Sequence, residues 1–261
     1  MEIPVYYVDA FADRLFSGNP AAVCFLPYWL GDQTLLAIAH ENNLPATAFL
    51  VKNGENYHIR SFTPNEIPLC GHGTLAAAYV IFNKVHPQLH EVVFQSTSGN
   101  LNVKKDGEFI VLNFPQKIGK SIPVHSILKK GFHVEPEAVF QYEKERCILV
   151  FHHQRDVESL APDMSILKKY ECPGIVATAP GDKVDFVSRT FYPHKVNHED
   201  QVTGVSHCML APYWAKRLGK HILAAHQLSP RGGYVKCEVL DHRVLLSAKA
   251  VLYLQGSIIL T

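Results

Sequence analysis

Two stretches of this chain repeat one another at about half its length. Arg60-Ser61-Phe62-Thr63-Pro64 returns as Arg189-Thr190-Phe191-Tyr192-Pro193, 129 positions later in a chain of 261 residues. Each copy closes a run that reads as a strand, Tyr57 to Phe62 and Asp185 to Phe191. After each comes a loop carrying an acid (Glu66; Glu199-Asp200), then a glycine turn, then an apolar helical run. Four additional residues separate proline from glycine in the second copy, so the duplication is imperfect. The shared order of strand, acid, glycine and helix carries the inference of two similar halves.

The first helical run, Gly73 to Phe82, is apolar on nearly every face and must be buried on all sides. The second runs from Ser206 to about Leu218, with Pro212 tolerated in its opening turns and Gly219 as its stop. A further helix is expected over Gln33 to Asn42. Strand-like runs surround these helices: Val5 to Phe11, Ala48 to Lys52, Val92 to Thr97 and Phe109 to Phe114. In the second half they are Ile148 to Phe151, Gly174 to Ala177, Val235 to Val239, Val244 to Leu246 and Val251 to Leu254. The polar, Gly/Pro-punctuated stretch Asn113 to Lys120 reads as the linker. The expectation is an α+β fold of two pseudo-symmetric halves, residues 1–115 and 116–255. Each is a curled, mostly antiparallel sheet around a central apolar helix.

Composition excludes several alternatives. Lys and Arg number 25 against 24 Asp and Glu, leaving a net charge of +1. That balance gives no electrostatic ground for a nucleic-acid or membrane-surface partner. The longest apolar stretch, Ala21 to Leu30, contains Pro27 and is far short of the roughly 20 residues of a membrane-spanning helix. Met1 to Tyr6 does not read as a signal peptide, and the six cysteines are scattered without a C-x-x-C pair. Six reduced thiols and a cytoplasmic location are the expectation. Two histidine pairs four apart, His86/His90 and His194/His198, lack a third ligand, so no metal is expected.

The chemistry concentrates where the glycines open the two helices. Helix N-termini present unbonded N–H groups and a partial positive charge, which suit a carboxylate or phosphate. The plainer alternative is that these glycines only make turns.

Beyond this pattern the sequence resembles the PhzF-like, or phenazine biosynthesis-like, family, whose fold is that of diaminopimelate epimerase. The resemblance is carried by ordered blocks along almost the whole chain. They begin with Val8-Asp9-Ala10-Phe11 and Phe16-Ser17-Gly18-Asn19-Pro20-Ala21-Ala22-Val23, then Thr47-Ala48-Phe49 and Leu69-Cys70-Gly71-His72. They continue with Asp185-Phe186, Glu199-Asp200, Val202-Thr203-Gly204, Ala211-Pro212-Tyr213-Trp214 and Arg231-Gly232-Gly233. It implies a site between the halves, no cofactor, a small carboxylate-bearing substrate and a homodimer. The best-known member moves a proton within dihydro-hydroxyanthranilate, using one carboxylate. By motif, the family's cleft histidine falls on His72 and its cleft aspartate on Asp200. The substrate-binding positions fall on Gly18, Asn19, Gly73, Thr74, Gly204, Val205 and Ser206. The resemblance also implies that a C-terminal strand, about 256–261, returns to the first half.

The departures bear on mechanism. Where the family usually reads Asn-Leu-Ser-Glu-Thr-Ala-Phe, this chain has Asn43-Leu44-Pro45-Ala46-Thr47-Ala48-Phe49, so Ala46 stands at the proton-carrying glutamate. Losing a positioned acid/base typically costs about 100- to 10,000-fold in rate. Val205 replaces a small hydroxyl residue at the second helix start, and Ala248 stands where the family usually has glycine. Cys70 and Cys208 read as small packing residues. Glu41 reads as a solvated helix-end acid, with a swing toward the space left by Ala46 as the lesser alternative, and Glu66 and Glu199 read as loop-orienting residues. A His72–Asp200 pair is left as the candidate proton shuttle. Three outcomes stay open: an isomerase, a catalytically silent member that binds a small acid or a protein partner, and a purely structural interaction protein.

Overall fold

The computed structural model describes residues 1–63 and 65–261, so Pro64 of the repeated segment lies outside the described residues. The chain forms two compact units, Met1–Phe114 with Leu245–Thr261, and Pro115–Val244.

The first unit opens with β1 (Glu2–Ala10), β2 (Asn19–Leu26), α1 (Asp32–Asn42), β3 (Ala46–Asn53), β4 (Asn56–Phe62) and β5 (Glu66–Ile67). Then come α2 (Gly71–Val80), a π-helical turn over Ile81–Val85, β6 (Glu91–Ser96), β7 (Gly99–Asp106) and β8 (Phe109–Pro115). The second begins with β9 (Lys120–Ile122), α3 (Ser126–Phe132), β10 (Ala138–Tyr142), β11 (Arg146–Val150), α4 (Gln154–Glu158) and α5 (Met164–Leu167). It continues through β12 (Gly174–Pro180), β13 (Phe186–Phe191), β14 (Glu199–Asp200), α6 (Gly204–Leu218), β15 (Ile222–Gln227) and β16 (Gly233–Val239). After β17 (Arg243–Ala248), β18 (Ala250–Ile259) lies antiparallel along β1, from Ala10 opposite Ala250 to Glu2 opposite Ile259. The returning segment therefore begins at Leu245, earlier than the 256–261 expected, because β18 covers the full length of β1.

Strand pairing repeats between the units. In the first, β2 and β3 are parallel, β3 and β4 antiparallel, β4 and β6 parallel, and β6 and β7 antiparallel. In the second, β11 and β12 are parallel, β12 and β13 antiparallel, β13 and β15 parallel, and β15 and β16 antiparallel. In each, a two-residue strand pairs with the end of the arginine-bearing strand before the apolar helix begins. Antiparallel pairs predominate, and the fold class is the α+β one expected from the sequence.

The strands of each unit are covered on both faces. In the first unit, α2 packs on β1, β2, β3 and β18. The opposite face closes over α1, burying Ala22, Cys24, Phe49 and Phe62 with Leu35, Ile38 and Ala39. All of α2 from His72 to Ala78 is buried, as its uniform apolarity requires. In the second unit, α6 packs on β15 and β16, and Trp214 stacks on Phe186 of β13 with ring centroids 6.0 Å apart. The other face carries Ile175, Ala177, Val187 and Phe191 against Leu128, Phe132, Val157 and Leu167 from α3, α4 and α5. Among the described residues, no helix is long and apolar enough to cross a membrane.

One buried histidine makes the second unit acid-sensitive. His207, inside α6, donates its Nδ1–H to the Thr203 carbonyl at 2.9 Å. Its Nε2 is buried without a partner among the described residues. Burial pushes its pKa down from 6.5 to about 4, only partly offset by that hydrogen bond. Between these values the unfolded chain binds the proton and the folded one does not, so stability rises with pH. His207 thus contributes stability in full above about pH 6.5 that is lost as pH falls towards 4, up to about 3 kcal/mol. Urea unfolding at a series of pH values should show this slope in the wild type, and His207→Asn should flatten it.

Candidate active site

The geometry at the two helix starts is built from the strand ends upward. In the first unit, Arg60 of β4 clasps Glu66 of β5 through Nε (2.8 Å) and Nη2 (2.5 Å), and also pairs with Asp32. In the second, Arg189 of β13 clasps Glu199 of β14 through Nε (2.7 Å) and Nη2 (2.9 Å). A bidentate clamp of this kind fixes the direction of the segment that follows. The repeated arginine and the loop acid therefore do one job in both halves, and neither glutamate is a spare base.

Past the first clamp, Cys70 holds an extended backbone and caps α2. The Thr74 N–H and hydroxyl both donate to the Cys70 carbonyl, at 2.9 and 2.8 Å. Thr74 is thus spent within the turn, and the first-turn N–H groups of Gly71, His72 and Gly73 precede it at the positive end of the helix. His72 is buried, and the Cys70 Sγ lies 3.5 Å from its Nδ1 and 3.9 Å from its Nε2. Sequence reasoning assigned Cys70 to packing alone; the available signal was C-x-H spacing across a helix start.

Ala46 opens β3, fully buried and in parallel register with Ala21 of β2. Its neighbour Thr47 accepts a hydrogen bond from the Asn42 side chain at 3.2 Å, and Asn42 accepts one from the Tyr7 hydroxyl at 3.0 Å. Glu41 is exposed near the end of α1. The Gly18-Asn19 loop leads into β2 with Gly18 at φ +67°, where a Cβ would fall 2.2 Å from the Ala10 carbonyl oxygen. Only glycine fits that turn. Asn19 is buried opposite Ala10.

In the second unit, Asp200 lies on β14 opposite Thr190. Its carboxylate accepts the Thr203 hydroxyl at 2.7 Å, and its carbonyl accepts a bond from the Gln227 side chain at 2.8 Å. Gln227, wholly buried, also accepts the Thr203 N–H at 2.9 Å. The sequence reading missed Gln227, which ties the Asp200 turn to β15. Gly204 and Val205 open α6, but Ser206 turns its hydroxyl inward, 3.4 Å from that of Thr190. Its N–H bonds to the Thr203 carbonyl at 3.1 Å. Val205, partly exposed, offers backbone but no side-chain donor at that helix start.

Burial pushes the thiols of Cys24, Cys147 and Cys208 up to about 12, and raises those of Cys172 and Cys237. These five are inert packing groups. Among the described residues, no cluster of three or more His, Cys, Asp or Glu side chains is arranged to hold a metal ion.

Comparison with known proteins follows the same lines. The family model described as phenazine biosynthesis-like protein matches residues 8–256. A Pseudomonas aeruginosa protein described as an uncharacterized isomerase is 42% identical over 259 residues, covering 99% of both chains. The crystal structure of a PhzF-family phenazine biosynthesis protein from Enterococcus faecalis superposes with a TM-score of 0.96 at 42% identity, covering 100% of both chains. A hydroxyproline epimerase from Agrobacterium vitis shares the fold, with a TM-score of 0.65 at 9% identity over 98% of this chain and 92% of that one.

Proposed function

The chain belongs to the phenazine biosynthesis-like family, and we propose that it is an isomerase that shifts a proton, without a cofactor, on a small carboxylate substrate. The observation that carries this reading is the paired construction described above. Each unit sets a clamped acidic turn before a glycine-opened helix, and each start bears one polar group suited to proton handling, His72 or Asp200.

In this reading the substrate carboxylate meets a glycine-opened helix start. The partial positive charge and N–H groups there receive the substrate carboxylate. A carbon-bound hydrogen leaves as a proton to a protein base, and the electron pair spreads into the conjugated system ending at that carboxylate. The base exchanges that proton with solvent and then returns one to a different carbon. Asp200 is held in position by Thr203 and Gln227, and His72 supplies an imidazole nitrogen that can accept or donate a proton. The buried methyl of Ala46 contributes no proton carrier. That feature favours the second reading, a silent member that binds a small acid or a protein partner. The homodimer implied by the resemblance belongs to the same proposal.

The test is hydrogen exchange at carbon. A panel of small unsaturated carboxylates, trans-2,3-dihydro-3-hydroxyanthranilate among them, is incubated with the protein in deuterated water and followed by proton NMR. The isomerase reading expects deuterium at a substrate carbon and a rate about 100-fold lower in Asp200→Asn. Saturable binding of the same acids with no exchange favours the silent reading.

A further inference from the structure

We propose that Gln201 is a positioning residue for the Asp200 carboxylate, a role that rests on the isomerase reading above. Its side chain ties the Asp200 turn to the β15–β16 hairpin at a point where the fold itself needs no such tie.

The duplication separates what the scaffold requires from what has been added to it. Glu66 and Glu199 take the same place on their two-residue strands, opposite Phe62 and Phe191. The next positions keep the same register, with Ile67 opposite Ser61 and Asp200 opposite Thr190. Pro68 and Gln201 follow them. In both units the carbonyl of that residue accepts a serine hydroxyl from a strand turn. Ser98, between β6 and β7, donates to Pro68 at 2.9 Å, and Ser229, between β15 and β16, donates to Gln201 at 2.6 Å. The serine bond therefore belongs to the common scaffold.

The second unit adds two side-chain amides to it. Gln227 donates to the Asp200 carbonyl at 2.8 Å, and the Gln201 Oε1 accepts the Arg231 N–H at 3.2 Å. Residues 227, 229 and 231 thus each bond the Asp200-Gln201 dipeptide. The Ser229 hydroxyl oxygen also accepts the Gly232 N–H at 3.1 Å, where Gly232 stands at φ +63° and a Cβ would fall 3.2 Å from the His226 Nε2. With the backbone held before Asp200 by its pairing with Thr190 and after it by this turn, the side chain leaves the chain in one direction. Thr203 then holds the carboxylate at 2.7 Å. The first unit has Ile67 and Pro68 at these places, so it has no carboxylate to aim and no amide to aim it. The Gln201 amide accompanies the acid, not the fold, and a displaced acid/base loses rate steeply.

The experiment uses Gln201→Met, which keeps the length of the side chain and removes its acceptor. The melting transition is expected to stay close to that of the wild type, since Pro68 serves the first unit without such a bond. Deuterium exchange at the substrate carbon, followed over a range of substrate concentrations, is expected to fall about 10-fold in kcat with KM unchanged. The same substitution in an Asp200→Asn background is expected to cost nothing further, because the group it positions is gone. An equal loss in both backgrounds, a loss confined to KM, or no loss overturns the proposal. A second arm reads the turn without turnover, by amide hydrogen exchange in NMR. The Arg231 and Thr203 amides are expected to exchange about 10-fold faster in Gln201→Met, and unmoved amides overturn the tie. If the wild type exchanges no carboxylate at all, the isomerase reading fails by itself, and the amide arm still decides whether Gln201 orders the Asp200 turn.

Discussion

Arg189→Met is expected to destabilise the protein by about 3–5 kcal/mol, well beyond the effect of Arg60→Met. The two arginines occupy equivalent places in the duplicated strand and clasp equivalent glutamates, but their surroundings differ. The Arg189 and Glu199 side chains are only 13% and 18% exposed. Nη1 of Arg189 also donates to the carbonyls of Val157 and Leu160, at 3.2 and 2.8 Å. Methionine would leave a nearly buried carboxylate unpaired and strip donors from α4 and the segment after it. The Arg60 partners are more open, with Glu66 35% and Asp32 82% exposed, so water compensates for much of the loss. About 1 kcal/mol is expected there. Urea unfolding of both variants measures the contrast, and equal losses would mean that the clamp does not stabilise through burial.

Trp214→Ala should cost about 3–5 kcal/mol as well, by a different route. Trp214 is wholly buried in α6, stacked on Phe186 and edge-on to Tyr213 at 5.2 Å. Its indole N–H donates to the Thr178 hydroxyl at 2.9 Å, and that hydroxyl donates in turn to the Val187 carbonyl at 2.7 Å. Alanine would leave a cavity between the helix and strands β12 and β13 and remove the only hydrogen bond tying the middle of α6 to β12 that is seen among the described residues. Trp214→Phe keeps most of the packing and loses the N–H, and is expected to cost about 1–2 kcal/mol. Differential scanning calorimetry of the pair separates packing from polar loss. Similar costs for the two variants would place the stabilisation in the hydrogen bond.

How much of this was legible in the sequence follows from what each element buries. The repeat was visible because Arg60 and Arg189 do the same work, and both apolar helices were found because their uniform apolarity has no other solution. The insertion lies before the acid: Glu66 follows Phe62 by four positions, and Glu199 follows Phe191 by eight. It lengthens the turn between β13 and β14 and leaves the clamp intact. Strand β2 was not recognised, because it is covered by α2 on one face and α1 on the other, so Ala21 to Leu26 shows no alternation to read. Strand β15 was missed for another reason, since Ala224, Ala225 and His226 carry little strand signal of their own. His72 and Asp200 were named as candidates from motif position. The contact between Cys70 and His72 was not, because it depends on the extended backbone of the capping residue, which spacing alone does not specify.

The central claim is that this chain moves a carbon-bound proton although residue 46 is alanine. Proton NMR of the wild type with trans-2,3-dihydro-3-hydroxyanthranilate and related acids in deuterated water tests it most directly. The account predicts deuterium at a substrate carbon, at a rate that falls in Asp200→Asn. Saturable binding of these acids, with every carbon-bound hydrogen retained, would contradict it.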